Sequence, residues 1–239
     1  MQNLVDLHAH ILPGLDDGPE DLSESLVMLE VLQEIGFSHV FATPHHRLNS
    51  WTGIEPETVE KDVRVLRIVA RREGLKIIIH PGMEFDLDDT LDHGSLTPPG
   101  GAGHLLVDIG FWGVPPNLSD ILGRVMSSGA RVLLVHPERN PKLCRRKREL
   151  ARLIASGVKL LGNIGSFSGM YGNRARRDAR NLLKAGLYWA MASDMHSGGQ
   201  SDWIREGVDE LLGLAGNGAF HEMMSDRPMQ MVKAMGSEY

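Results

Sequence analysis

His8 and His10 stand two positions apart at the end of the short apolar run Leu4-Val5-Asp6-Leu7. Alternate side chains of an extended strand share a side, so both imidazoles project together. Such a pair offers two nitrogen ligands to a transition metal. The turn Asp16-Asp17-Gly18 follows closely enough to fold a carboxylate back toward them. The device recurs far along the chain, where Asp194-Met195-His196 sets two ligand types two apart after Tyr188–Ala192. Between these, His45 follows the apolar run 40–43 and Glu84 follows Ile77-Ile78-Ile79. Asp108 ends Leu105-Leu106-Val107, and His136 ends Val132-Leu133-Leu134-Val135.

Taken singly, each has a plainer reading: a hydrogen-bonded imidazole, a capping carboxylate, an Asp-Gly turn. Taken together, ligand-type side chains end almost every apolar run. Nitrogen and carboxylate donors without thiolate suit Mn, Fe or Zn. They are too many for one ion and would fill two or three sites bridged by carboxylates such as Glu84 and Asp194. A multinuclear site of this kind generates hydroxide at neutral pH and clamps the oxygens of an in-line displacement, which is the chemistry of phosphoester hydrolysis.

Seven apolar runs must position these groups, and amphipathic segments alternate with them. The first helix opens at Pro19-Glu20-Asp21 with Leu22, Leu26, Leu29 and Leu32 on one face and ends at Gly36. Another begins near Pro56 and ends before Gly74. Further helices fall near 119–128, 147–156 and 173–184, and the chain from Asp202 on is helical with Gly-rich breaks. Residues 86–103 read as a long loop. Strands alternating with helices imply parallel pairing and right-handed crossovers. The expectation is an α/β fold, a seven-stranded (β/α) barrel of TIM-like form built as a single domain over residues 1–239. In such a barrel all carboxyl strand ends share the face that carries active sites. No dinucleotide-type Gly-rich turn follows the first strand, which disfavours an open doubly wound sheet.

Composition narrows the function. The 239 residues are 42% hydrophobic and 23% charged, with a formal net charge of −6. That balance does not favour nucleic acid or an anionic membrane. Cys144 is the one cysteine, so neither an intrachain disulfide nor a cysteine-rich metal site is available. Leu150 stands six positions after it, where a cysteine-based phosphatase loop requires arginine. No basic-then-apolar leader and no apolar run of spanning length is present, so a cytoplasmic protein without membrane insertion is expected.

The motifs Asp6-Leu7-His8-Ala9-His10, Asp16-Asp17-Gly18, Ala42-Thr43-Pro44-His45-His46, Pro81-Gly82-Met83-Glu84, Val135-His136-Pro137-Glu138-Arg139-Asn140 and Ala192-Ser193-Asp194-Met195-His196 occur in this order. Together they resemble the PHP (polymerase and histidinol phosphatase) superfamily. They resemble more closely its bacterial manganese-dependent protein-tyrosine phosphatases of capsule and exopolysaccharide synthesis. The resemblance implies a distorted seven-stranded barrel with a trinuclear centre. His8, His10, Glu84 and Asp194 would hold one ion; Glu84, Asp108 and His136 a second; Asp17, His45 and His196 the third. It implies Mn as cofactor and, as partner, a tyrosine-phosphorylated protein, the cognate bacterial tyrosine autokinase. Two departures stand out. Asp108 replaces a usual Glu, and Ser197-Gly198-Gly199-Gln200-Ser201 carries no arginine where members often have one.

For the transfer itself, Arg139 is the candidate for bidentate contact with the phosphoryl group, against pairing with Glu138. Arg47 is a second candidate, and His46 a candidate acid. The basic stretches Arg145-Arg146-Lys147-Arg148 and 174–180 are docking candidates or solvated helix faces. Alternatives are a phosphatase of a small phosphomonoester such as histidinol phosphate, and a non-catalytic metal-binding regulator of the kinase.

Overall fold

The computed structural model describes residues 3–48, 51–52, 54–87, 104–111, 113–127 and 129–235. Strands and helices alternate in the expected order. β1 (Leu4–Ala9) runs through the first histidine pair to α1 (Leu22–Ile35) and β2 (Phe37–Ala42). A short antiparallel hairpin, β3 (Arg47–Leu48) with β4 (Trp51–Thr52), precedes α2 (Pro56–Arg72). β5 (Ile78–Pro81), β6 (Glu84–Asp86) and β7 (His104–Asp108) follow, then α3 (Leu118–Ser127) and β8 (Arg131–Val135). The second half continues as α4 (Pro141–Arg145), α5 (Lys147–Ala155), β9 (Lys159–Asn163), α6 (Gly165–Ser168), α7 (Gly172–Lys184) and β10 (Tyr188–Ala192). Helix α8 (Ser201–His221), kinked at Gly216, a π-helical turn and α9 (Arg227–Ala234) complete it. Most of the expected loop at 86–103 lies outside the described residues.

Local chemistry accounts for the boundaries. Asp21 caps α1 by accepting from the Glu24 amide at 3.0 Å, and Gly36 ends it with φ 116°, a left-handed conformation that costs glycine nothing. Two parallel sheets result, ordered β1-β2-β5 and β10-β9-β8-β7-β6. They touch at two parallel bridges, Ala9 with Met195 and His45 with Glu84.

The strand count corrects the expectation of seven. Eight strands build the two parallel sheets because the third run is broken: β5 pairs with β2, and β6 pairs with β7. Pro81-Gly82-Met83 makes the step between them. The Gly82 amide donates to Ala42 O at 2.9 Å, and a Cβ at 82 would meet Thr43 Cγ2 at 2.8 Å. Only glycine lets the strand cross here unaltered, and the crossing delivers Glu84.

Two apolar layers hold the assembly. Met28, Leu29, Leu32, Val63, Leu66, Leu153 and Leu211 pack helices against strands. Val5, Leu7, Phe41, Leu133, Val135 and Leu161 form a second cluster with Met231 of α9. Each such fully buried side chain contributes about 1.5–3 kcal/mol. Buried Asp6 joins the first strand to the exit of the last, its Oδ1 accepting from the Ser193 amide at 3.0 Å and the His8 amide at 3.2 Å.

The turn after β8 holds a buried carboxylate. Glu138 accepts from the Asn163 amide at 2.8 Å, Ser166 Oγ at 2.9 Å and Tyr188 OH at 2.9 Å, and is 1% exposed. It knits together β9, α6 and β10. Glu138→Ala leaves three donors without this acceptor and is expected to lower unfolding free energy by about 2–4 kcal/mol, read by urea denaturation. Glu138→Gln retains an acceptor oxygen and should lose less; equal losses would mean that packing, not hydrogen bonding, is the contribution.

Candidate metal centre

The carboxyl ends of β1, β7, β8 and β10, the first residue of β6 and the turns after β1 and β2 bring nine ligand-type side chains together. Glu84, 1% exposed, lies at the middle. His136 Nε2 is 3.1 Å and His8 Nε2 3.4 Å from its Oε1, while His45 Nδ1 is 2.9 Å and His10 Nε2 3.6 Å from its Oε2. Asp194 Oδ1 lies 3.2 Å from His8 Nε2 and 3.4 Å from His10 Nε2. Asp17 Oδ1 is 3.3 Å from His196 Nε2 and 3.6 Å from His45 Nε2. Asp108 Oδ1 stands 3.8 Å from His136 Nδ1.

Four groupings present ligand atoms within 4.8 Å of one another: His10 with Asp17, His45 and His196; His8 with His136 and Asp194; His8 with His10 and Glu84; and Glu84 with Asp108 and His136. These sets overlap through His8, His10, Glu84 and His136, as a site for more than one ion requires. Two of the three sets implied by the resemblance lie within these groupings, the set around Asp17 with His10 added. In the other, Asp194 is grouped with His8 and His136 rather than with Glu84.

The imidazole orientations suit coordination. Thr43 Oγ1 lies 2.6 Å from His8 Nδ1, Asp16 Oδ2 lies 2.6 Å from His10 Nδ1, and Asp194 O lies 2.8 Å from His196 Nδ1. Each partner takes the Nδ1 proton and leaves Nε2 as the donor atom facing the site, the usual support of a histidine ligand. His8 Nε2, His10 Nε2, His45 Nδ1 and Glu84 Oε2 are buried without a hydrogen-bond partner. His45 Nδ1 approaches Glu84 Oε2 closely but without hydrogen-bond geometry. Buried polar atoms left so are costly unless something else satisfies them. A divalent cation would satisfy all four, so the residues fit one.

Electrostatics follow from this crowding. Burial opposes the charge of Glu84, yet His8 beside it and the close imidazoles of His136 and His45 hold it well below the usual carboxylate range. Burial likewise opposes the charge of His8, but Glu84 and Asp194 raise it well above normal. His45 is raised to about 9, burial being outweighed by Glu84. Asp17 is lowered to about 2, burial being outweighed by His196. Asp86 beside this group is pushed up to about 7 by burial and the Glu84 charge. Two ligands also have unusual backbones for non-glycine residues: His136 has φ 33° and Asp194 φ 52°. Their peptide groups are held there, the Asp194 amide donating to His8 O at 2.8 Å and the His136 amide to Leu161 O at 2.8 Å.

The arginines and the remaining candidates separate clearly. Arg139 pairs not with Glu138 but with Asp194, Nη1 to Oδ2 at 2.6 Å. Its guanidinium carbon lies 4.3 Å from the Phe111 ring centre and 4.0 Å from that of Tyr171, within cation–π range of both. Asn163 Nδ2 donates to Asp194 Oδ2 at 2.8 Å and to Tyr171 OH at 3.1 Å. His46 stands aside from the ligand groupings, its Nδ1 3.0 Å from Ile54 O. Arg47 begins β3, and its side chain lies outside the described residues. Arg176 and Arg180 are paired with Glu210 of α8, so that basic stretch is largely an inter-helix contact. Cys144 Sγ donates to Pro137 O at 3.3 Å, and burial pushes its thiol up to about 12, unsuited to a nucleophile.

Sequence reasoning missed Thr43, Asn163, Phe111 and Tyr171, and read Asp16 only as a turn. The doubled acid Asp16-Asp17 held a usable signal: one carboxylate orients His10 and accepts the His45 amide at 3.1 Å, while its neighbour faces His45 and His196.

Fold and site together define an α/β protein with a candidate multinuclear metal centre at its strand ends. Residues 4–233 match the family model described as capsular polysaccharide synthesis, CpsB/CapC, and the chain belongs to that family. The tyrosine-protein phosphatase YwqE of Bacillus subtilis (strain 168) is 26% identical over 198 residues, which are 81% of this chain and 78% of that protein. The tyrosine-protein phosphatase CpsB of Streptococcus pneumoniae is 22% identical over 239 residues, 96% of this chain and 98% of that one. Among solved structures, one from the study of YwqE and CpsB as metal-dependent tyrosine phosphatases matches with a TM-score of 0.81 at 24% identity, covering 97% of this chain and 92% of that one. The histidinol phosphate phosphatase of Lactococcus lactis has the same general fold, with a TM-score of 0.57 at 14% identity over 90% of this chain and 95% of that one.

Metal binding should release protons. His8, His45 and His196 are all held above the ordinary histidine value of 6.5 by the neighbouring carboxylates, and His45, raised to about 9, is charged at pH 7, whereas a ligand must be neutral. Affinity for a divalent ion therefore rises with pH, and the His45 share of that rise is complete above about 9. The stability that protonated His45 contributes to the metal-free protein is complete below about 6.5 and is lost as pH climbs through 9. Calorimetric titrations with Mn in buffers of different ionisation heat measure the release; no release at pH 7 would contradict these charge states.

Proposed function

We propose that this chain is a protein-tyrosine phosphatase that hydrolyses phosphotyrosine with divalent metal ions. The observation that carries the reading is the convergence of His8, His10, Asp17, His45, Glu84, Asp108, His136, Asp194 and His196 around buried, unsatisfied ligand atoms, with Arg139 at the rim. We read the two parallel sheets as one distorted barrel whose carboxyl face carries this centre, and these nine residues as its ligands. The nitrogen and carboxylate donor set favours Mn, with Fe or Zn as substitutes. The family description supports a substrate in capsule or exopolysaccharide synthesis, and we read it as a tyrosine-phosphorylated bacterial kinase.

Bound ions would lower the pKa of water and neutralise charge on the phosphoryl oxygens. The chain's own residues do the rest. Glu84 and Asp194 hold the histidine ligands at fixed separations, and Asp16, Thr43 and the Asp194 carbonyl fix their ring orientations. Arg139, clamped by Phe111, Tyr171 and Asp194, spends one of its N–H donors on Asp194 and can offer the others to a phosphoryl oxygen. A phenol leaves with a pKa of about 10, so it needs less proton donation than an alkyl alcohol. We therefore assign His46, engaged with Ile54, no part in the transfer.

Metal-stripped protein reconstituted with Mn should release phosphate from a phosphotyrosine peptide, and His136→Ala should lower kcat/KM by about a hundredfold or more. Arg139→Lys keeps the charge but loses the planar fork, and a loss of about tenfold is expected. Preference for histidinol phosphate would move the assignment to a small phosphomonoester. No turnover of either with metal bound would leave a non-catalytic regulator.

A further inference from the structure

Beside Arg139 lies a cavity of about 300 Å³ lined by Phe111, Glu138, Arg139, Pro141, Tyr171, Arg174 and Ala175. No residue of the nine-ligand set lines it, so its occupant is not the phosphoryl group at the metal centre. Yet Arg139 belongs to both places, lining the cavity while its Nη1 reaches Asp194. An occupant is therefore an immediate neighbour of the group held at Asp194.

The wall chemistry selects the occupant. Phe111, Tyr171 and Pro141 suit a flat aromatic body. Glu138 is buried, with its carboxylate oxygens engaged by Asn163, Ser166 and Tyr188, and repels an anion placed next to it. Among the described lining residues, Arg174 in the first turn of α7 is the cation not paired with a candidate metal ligand. Its side chain is 44% exposed, with one long contact, Nε to Asp178 Oδ2 at 3.8 Å. By contrast Arg176 and Arg180 on the same helix are tied to Glu210. Ring inward and anion at the Arg174 rim is the complementary arrangement.

We propose that this cavity is a second substrate subsite, which takes an aromatic side chain bearing negative charge from a position close to the phosphotyrosine in the same peptide. The proposal rests on the phosphotyrosine reading above and names Arg174 as a specificity-determining residue. It predicts that neighbouring phosphorylated tyrosines are processed better than isolated ones.

The test uses Mn-loaded full-length protein and phosphotyrosine peptides differing at one neighbouring position, scanned one to three residues to either side. That position carries alanine, tyrosine, glutamate or phosphonomethyl-phenylalanine, the last a charged ring that cannot be cleaved. At the productive spacing kcat/KM should rank the charged ring above tyrosine and glutamate, and both above alanine, with about a fivefold gain from the charge. Arg174→Ala should bring the charged ring down to tyrosine, Arg174→Glu should place it below tyrosine, and Arg174→Lys should restore part of the gain. Equal rates across the series, or a charge preference that survives in Arg174→Ala, would overturn the subsite while leaving the phosphatase reading intact. Failure to cleave any of the peptides would overturn both.

Discussion

A carboxylate buried as deeply as Glu84 is not tolerated alone. Removing its charge from water costs several kcal/mol in practice, and the fold answers with four imidazoles within 3.6 Å, from β1, the turn after β2 and the end of β8. Those imidazoles in turn crowd one another, the ring centres of His8 and His10 lying 5.0 Å apart and those of His10 and His45 4.7 Å apart. Each is held by its own partner, Thr43 for His8 and Asp16 for His10, and the second carboxylate Asp194 shares the load. The centre is thus a lattice of mutually dependent charges, and its buried ligand atoms without hydrogen-bond partners are ones a cation would satisfy.

The backbone is shaped to this demand. β5 and β6 are one run bent across two sheets, with the bend at the residue where a side chain would strike Thr43. His136 and Asp194 occupy the left-handed region, which side chains with a Cβ rarely adopt. Both conformations are kept by main-chain bonds to neighbouring strands, so sheet stability is what holds ligand geometry. Glu138 works on the same principle one layer out, bracing the turn that presents His136 and Arg139.

How far this was legible in the sequence differs by scale. The run-and-ligand pattern exposed the strand ends, because period-two alternation and a His, Asp or Glu at the end of each run are local signals. All nine ligand candidates converge. The split of the third strand was invisible, since Gly82 matters only through its distance to Thr43. Pairing of Arg139 was ambiguous for the same reason: Glu138 is its neighbour in sequence, yet consecutive residues in the tight turn point apart. One goes to Tyr188 and Asn163, the other to Asp194. Phe111 and Tyr171 come from separate loops and carry no spacing signature at all. The helical end was foreseen, but not that Met231 of α9 would enter the second apolar cluster among the strands.

The ligands begin at His8 and finish at His196, so the centre draws on nearly the whole chain. A ribosome-bound chain shorter than this holds only fragments of it: the first histidine pair with neither Asp194 nor His196 to close around it. Full capture of the ion therefore waits until the last strand has docked on the first. An ion bound by this set would join β1 to β10, much as a crosslink over a very long loop would.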